Sequence, residues 1–518
     1  MNGTPFPARC IMVQGTGSHT GKSVMVAALC RIFAQDGFRV APFKSQNMSL
    51  NSYVTPQGGE MGRAQVLQAQ AAGIEPHTDM NPILLKPASD ERAQVILGGR
   101  PVGHMEAGEY HRLKLDFLPH ALAALERLRS AYDIVVMEGA GSPAEINLAD
   151  HDIANMRVAE AANAPVVLVG DIDRGGVFAS LVGTLELLGE GEREMVAGFI
   201  INKFRGSADL LQGGLDFLEQ RTGRPVLGVV PYIRDLGLEE EDTVNLEELR
   251  DAAAREAAVQ VVDIAVAHLP HISNATDFEP LAQEAGVRLH YVSEPSQLGI
   301  PDAIILPGSK STAADLDYLR GNGMAAQIVR LARLGVPVIG ICGGYQMLGE
   351  KILDPEGVES SVQEVAGLGL LPVTTILGGD KSTHRVQACV TAKLPLLGLD
   401  PSTTLAGYEI HMGRSQAGGG SPLLITERDS TEVSVEDGAV HERLPIFGCY
   451  LHGLFENRLL REGFINHLRK LRGLPPVTAE RDWERWRNDR LDRLARITRT
   501  ALDMPLAYAL IGLGETDA

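Results

Sequence analysis

The chain has 518 residues, of which 44% are hydrophobic and 22% charged, a globular composition that excludes a disordered or fibrous protein and predicts two or three domains. Sixty-six acidic residues against 47 basic ones leave a formal charge of -19, which excludes a general nucleic-acid binder, since such affinity comes mostly from neutralising phosphates. No apolar run approaches the roughly 20 residues that span a bilayer. Residues 1–9 lack a signal-peptide layout, and Cys10, Cys30, Cys342, Cys389 and Cys449 form no paired spacing. The expectation is a cytoplasmic protein in a reducing compartment, with no membrane or nucleic-acid partner and with room for a homo-oligomer.

From Arg9 to about Pro231, short β-branched runs alternate with helical stretches. The runs are Cys10–Val13, Phe38–Phe43, Ile134–Met137, Val166–Val169, Phe199–Ile201 and Val226–Val230; the helices include Val24–Phe33 and Pro119–Leu128. Near-continuous apolar runs mark parallel strands covered on both faces. The alternation therefore predicts an α/β domain with a parallel sheet over residues 1–237. An acidic, alanine-rich stretch reads as a linker at 238–260. A second α/β domain, 261–460, begins at Val261–Ala267 and continues through Ala303–Leu306, Val336–Ile341 and Ile446–Leu451. Residues 461–518, rich in Arg, Leu and Trp at helical spacing, predict a helical tail packed on that second domain.

Between the first strand and the first helix lies Gly15-Thr-Gly-Ser-His-Thr-Gly-Lys-Ser23. Glycines let backbone N–H groups converge on a phosphate, and the following helix presents its positive end there. Gly15, Thr16, Gly17, Ser18 and Gly21 would cradle ATP, Lys22 would reach its outer phosphates, and the Ser23 hydroxyl would hold Mg²⁺. Glu138, just past the strand Ile134–Met137, is expected as a second Mg²⁺ ligand, directly or through water, in the position where open α/β sheets bind ligands. Thr16 stands where the common phosphate-loop pattern has glycine. The spacing instead resembles the variant of dethiobiotin synthetase and its amide-forming relatives, which implies an adenine contact for Asn202.

Gly340-Ile-Cys-Gly-Gly344 joins a strand to a helix by a turn tight enough to need small residues on both sides of Cys342. Such an elbow places the sulfur at a helix amino terminus, which favours thiolate, and turns the Gly343 N–H toward an oxyanion. His452, at the end of the late strand Ile446–Leu451, is the matching base and acid. This pairing resembles the class I (triad) glutamine amidotransferases, which release ammonia from glutamine through a γ-glutamyl thioester. Leu306-Pro-Gly-Ser-Lys-Ser-Thr312 resembles their other oxyanion loop and implies Gly308 as a second N–H donor. That class has glutamate two residues after the histidine, but position 454 is leucine. Glu456 lies two residues further on, so the expectation is a Cys–His dyad in which Glu456 does not orient His452.

A carboxylate does not react with ammonia at neutral pH unless it first gains a leaving group, which phosphorylation by ATP supplies. A phosphate-loop domain fused to a Cys–His glutaminase therefore predicts ATP-dependent amidation of a carboxylic acid. Pro42–Ser52, Glu138–Leu148, Gly170–Phe178, His268–Phe278 and Gly407–Ser415 resemble the cobyric acid synthase family over about Arg9 to Phe455. The resemblance implies glutamine as nitrogen donor and a corrinoid substrate, adenosylcobyrinic acid a,c-diamide, amidated at its b, d, e and g carboxylates. Cobalt would arrive only within that substrate. In these blocks Lys44 is expected near the γ-phosphate, and Asn47 near the substrate. Asp150, Asp171 and Asp173 either position substrate or metal or cap helices. Tyr408 and His411 shape the glutamine site, with His411 the alternative base. Another fused amidase-ligase, such as cobyrinic acid a,c-diamide synthase, or a ParA-like switch ATPase with an inactive amidotransferase domain are the competing readings. The intact Cys342 and His452 argue against the latter.

Overall fold

The six β-branched runs of the first half form one parallel sheet because helices cover both of their faces. Its strand order is Val226–Pro231, Val196–Phe204, Val166–Asp171, Arg9–Gly15, Ile134–Glu138 and Val40–Phe43, with every neighbouring pair parallel. This is a computed structural model, and it describes residues 7–88, 91–234, 236–238, 260–359, 362–479 and 482–514. Most of the predicted linker thus lies outside the described residues. The first strand sits at the point where strand order reverses, and the crevice at its carboxyl end is where such sheets bind ligands. The helix Lys22–Gln35 buries Met25, Val26, Leu29, Ile32 and Phe33 against this sheet. The helix expected over Pro119–Leu128 is longer, Ala107–Ala131, and tolerates Pro119 in its interior.

The second half repeats the plan. Val287–Val292, Val262–Ala267, Ala303–Leu306, Val338–Ile341 and Ile446–Cys449 pair in parallel, and Ala439–Val440 closes the edge antiparallel. Four-stranded sheets that the sequence pattern did not show flank the two cores. One contains Gln46–Met48, Ile83–Pro87, Arg92–Leu97 and Arg100–Glu106; another contains Thr404–His411, Ser382–Val390, Leu423–Arg428 and Thr431–Asp437. Their strands carry polar residues on half-exposed faces, as in Ser-Thr-His-Arg-Val-Gln-Ala-Cys-Val over Ser382–Val390, so no apolar run announces them.

The tail departs from expectation. Arg458–Leu471 does pack on the second core through Leu460, Phe464, Ile465 and Leu468. Trp483–Ala501 and Met504–Leu510 instead return to the first domain, where Leu491, Leu494, Ala495, Met504, Ala507 and Tyr508 join its core. Arg31–Asp492 at 2.8 Å and Arg499–Asp36 at 2.7 Å fix the return. At Gly228 a side chain would collide with the Ala501 carbonyl, 2.1 Å from the Cβ position, so glycine permits this close approach. Helical spacing identifies an apolar stripe but not which surface receives it. No helix among the described residues is long and apolar enough to cross a membrane.

Candidate active sites

The phosphate loop runs from the end of Arg9–Gly15 into the helix that starts at Lys22. Gly21 has φ of +96°, a left-handed conformation that favours glycine, and its missing side chain leaves room for Asn202. The Asn202 amide donates to Thr20 O at 2.9 Å, so this residue supports the loop from behind. Lys22 Nζ donates to Gly17 O at 2.8 Å and Gly141 O at 3.0 Å, arching over the loop to the segment after Ile134–Glu138. Glu138 is wholly buried. One of its oxygens accepts from Ser23 Oγ at 2.7 Å and Lys44 Nζ at 2.9 Å, and the other from Gln68 Nε2 at 2.5 Å. Burial alone would raise its pKa; the Lys44 charge and these hydrogen bonds outweigh that and hold it below the ordinary carboxylate value. Ser23 and Glu138 therefore offer converging oxygen donors, one neutral and one ionised, of the hard type that suits Mg²⁺. Gln68, in the middle of the helix Arg63–Ala71, was not anticipated: nothing in its local pattern distinguishes it from a packed polar residue.

In the second domain Cys342 has φ of +52° and ψ of -109°, between the strand Val338–Ile341 and the helix Gly343–Leu348. Its neighbours are small because backbone fills the space. A side chain at Gly344 would lie 2.0 Å from Leu306 O, and one at Gly343 would lie 2.7 Å from Ser309 N. The loop containing Gly308 thus flanks the elbow, with Gly308 itself against the His452 ring. His452 Nδ1 lies 2.7 Å from Asp277 Oδ2, and the Gly453 N–H donates to Asp277 Oδ1 at 3.0 Å. Burial would lower the His452 pKa, but the Asp277 charge, Cys342 and hydrogen bonds to both raise it to about 10. The ring is therefore held protonated against its carboxylate.

The expected dyad is corrected by this geometry: a third residue stands behind His452, and it comes from 175 positions upstream. It lies in the His268–Phe278 block that carries the family resemblance, on the short helical turn Ala275–Phe278, with no local pattern that marks it as a partner of His452. Glu456 faces elsewhere, 3.2 Å from Arg63 and 3.7 Å from Arg487. Tyr408 stacks on His452 with ring centroids 5.3 Å apart, and His411 stacks on Tyr450 at 3.8 Å while bonding Gly413 O through Nδ1. Both Cys342 and His411 line one cleft, but the carboxylate at Nδ1 distance belongs to His452.

The two domains meet at this cleft. Ser52 N–H donates to Asn274 Oδ1 at 2.9 Å, and Ala275 N–H donates to Asn51 Oδ1 at 3.1 Å. Asn274 in turn approaches His452 Nδ1 at 3.4 Å. Tyr53 packs on Tyr408 at 4.8 Å between centroids. Asn51 lies seven positions after Lys44, so one short segment touches both sites. Asn47, on that segment, is buried and bonds Gln65 at 2.9 Å. Asp171 pairs with Lys203 at 3.0 Å and Asp173 with Arg205 at 2.8 Å, beyond the strand Val166–Asp171. Asp150 is exposed on the turn Ala149–His151. None of these three reaches the phosphate-loop residues through a described bond.

Residues 11–244 match the CobQ/CobB/MinD/ParA nucleotide binding domain, and residues 263–460 match the CobB/CobQ-like glutamine amidotransferase domain. The cobyric acid synthase of Moorella thermoacetica is 53% identical over 511 residues, covering 98% of each chain. That of Pelotomaculum thermopropionicum is 52% identical over 514 residues, covering 98% of this chain and 97% of the relative. That of Desulforamulus reducens is 50% identical over 515 residues, covering 98% and 99%.

Proposed function

The chain belongs to the cobyric acid synthase family, and on that premise we propose that it amidates the b, d, e and g carboxylates of adenosylcobyrinic acid a,c-diamide, using ATP and glutamine. The observation that carries the reading is the docking, within one chain, of a phosphate-loop domain on the domain that holds the Cys–His–Asp cluster, through Asn51, Ser52 and Tyr53. In the first domain a substrate carboxylate oxygen attacks the γ-phosphorus of ATP, giving an acyl phosphate and ADP. Lys22 and Lys44 offset the charge on the transferring phosphoryl group, and fixed cations do this without reorganising. Magnesium, held by Ser23 and Glu138, would neutralise phosphate charge there.

In the second domain the Cys342 sulfur attacks the glutamine amide carbon, while the N–H groups of Gly343 and the Gly308 loop stabilise the oxyanion. His452 gives its proton to the departing nitrogen, which leaves as ammonia, and then takes a proton from the water that cleaves the thioester to glutamate. Ammonia attacks the acyl phosphate, phosphate leaves with the bonding pair, and a proton is lost to give the amide. Asp277 fixes the imidazole tautomer and stabilises its cation.

Asp277→Asn is expected to slow thioester formation by about 10²–10⁴, because the amide can present the wrong group to Nδ1 and carries no charge. Glu456→Gln should change it less than about tenfold, the low edge of acid–base participation. Rapid-quench trapping of the γ-glutamyl thioester reads both; equal losses would return the third role to Glu456. The overall reaction is tested by mass-resolved turnover of adenosylcobyrinic acid a,c-diamide. Four carboxylates should become amides, and a product stopping at fewer with excess ATP and glutamine would refute the assignment.

A further inference from the structure

A second His–Asp pair stands beside the elbow, and no step of the reaction above uses it. Asp315 sits in the first turn of the helix Thr312–Gly321 and is wholly buried. Its Oδ1 lies 2.8 Å from His271 Nδ1, and its Oδ2 accepts from Ser309 Oγ at 2.6 Å. The His271 backbone N–H approaches both oxygens, at 3.3 Å each. Against a carboxylate that only accepts, His271 Nδ1 carries the proton and donates. Ser309 Oγ in turn accepts the Ser311 N–H at 3.0 Å, so one hydroxyl ties two loop positions to the carboxylate. A buried carboxylate is costly unless its oxygens are satisfied. Here both oxygens fix the chain that runs beside Cys342. In that chain Gly308–Ser309 pairs antiparallel with Ile272–Ser273, Ser309 lying opposite Ile272, and the Lys310 N–H donates to His271 O at 2.9 Å. Hydrogen-bonded and open positions alternate in such a ladder, so Ser309 falls at an open one and its N–H turns away from Ile272. The Ser309 N atom lies 2.7 Å from where a side chain on Gly343 would begin. The loop's N–H at the elbow is thus that of Ser309, one position beyond the Gly308 expected from sequence.

We propose that His271 and Asp315 are positioning residues of the glutaminase, clamping the loop 308–311 so that the Ser309 N–H meets the oxyanion formed when Cys342 attacks glutamine. The inference rests on the assignment of Cys342 as the nucleophile. Both residues act through Ser309 rather than on substrate. An N–H aimed at a developing charge contributes fully only when it is held in place before the reaction. A hydroxyl bonded to a buried carboxylate, itself bonded to an imidazole, removes the loop's freedom to turn that N–H aside. His271 belongs to the same short segment as Asp277, whose carboxylate lies 2.7 Å from His452 Nδ1. One segment therefore sets both halves of the machinery, the base and the oxyanion loop.

The test compares two reactions of one sulfur, on the full chain with ATP and corrinoid present. Alkylation by iodoacetamide, located at Cys342 by peptide mapping, needs the thiolate but forms no oxyanion. Formation of the γ-glutamyl thioester, trapped by rapid quench, needs both. Removing an oxyanion donor outright costs about 10²–10³ in rate, and loosening one should cost less. His271→Ala should slow thioester formation about 10–100-fold, in the limiting rate rather than in KM, and leave alkylation near the wild-type rate. His271→Asn should recover most of that loss, because its amide N–H stands where Nδ1 does. Ser309→Ala cuts the link between carboxylate and loop while keeping the backbone N–H, and should reproduce the effect of His271→Ala. Ammonia-dependent amidation reports folding, and Ser309→Ala decides the matter if His271→Ala loses it. Parallel losses of alkylation and acylation, an unchanged thioester rate, or no recovery in His271→Asn would overturn the clamp. A wild-type protein that forms no thioester at Cys342 would instead overturn the underlying nucleophile assignment.

Discussion

Cys342→Ala is expected to abolish glutamine-dependent amidation and to leave most of the ammonia-dependent reaction. In the proposed mechanism the sulfur is the atom that becomes acylated, so its removal deletes the thioester route rather than weakening it. Loss of a nucleophile in comparable acyl-transfer machinery costs on the order of 10⁶ in kcat, which puts the residual rate below ordinary detection. Alanine fits the site, because Cys342 is buried and its hydrogen bond to Ile410 O is a long one of 3.5 Å. The measurement is amide formation with glutamine and, separately, with ammonium salt at alkaline pH. Equal loss with both donors would make Cys342 structural.

Lys22→Ala is expected to remove synthesis with either nitrogen donor. The side chain bridges Gly17 to Gly141, and in the proposed mechanism it carries charge toward the phosphates; alanine does neither. Removing one preorganised electrostatic donor costs about 10²–10³ in rate, and loss of the bridge adds to that. Glu138→Gln should have a comparable effect on synthesis for a different reason. It leaves Lys44 buried without its carboxylate, and breaking a buried pair typically costs about 3–5 kcal/mol of stability. Thermal unfolding separates the two variants: Glu138→Gln should melt lower, whereas Lys22→Ala should remain close to the parent. Normal ammonia-dependent turnover in Lys22→Ala would refute the phosphate-loop assignment.

The parallel strands, the phosphate loop and the cysteine elbow were legible because each is local. A run such as Ile134-Val-Val-Met-Glu138 states both its burial and where its last carboxylate emerges. Asp277 was not legible in the same way. Its partner is 175 residues distant, and the spacing rule applied to His452 looks two positions along the chain, where it meets Leu454, rather than across the fold. Lys86, Glu60 and Lys381 escaped for a related reason: each reads as an ordinary charge in a polar strand or loop, and only domain docking makes them one cluster. The tail helix shows the same limit in packing. Its stripe of Trp483, Arg487, Leu491, Leu494 and Thr498 was readable as helical, while the receiving surface on the first domain was not.

That returning tail also dictates how the polypeptide can be divided. The chain passes from the first domain to the second and then gives its last helices back to the first, so its domains are not two consecutive segments. Cutting between residues 238 and 260 would leave residues 483–510 attached to the wrong partner, with the apolar bed formed by Phe33 and Leu227 bared to water. Arg9 Nη1 lies 2.9 Å from Ile511 O, placing the closing helices beside the opening strand. A permuted gene that moves the tail ahead of Arg9 through a short connector would therefore keep the first domain whole. Cut between residues 238 and 260, that permuted chain would yield the two domains as separate polypeptides, each retaining its own core.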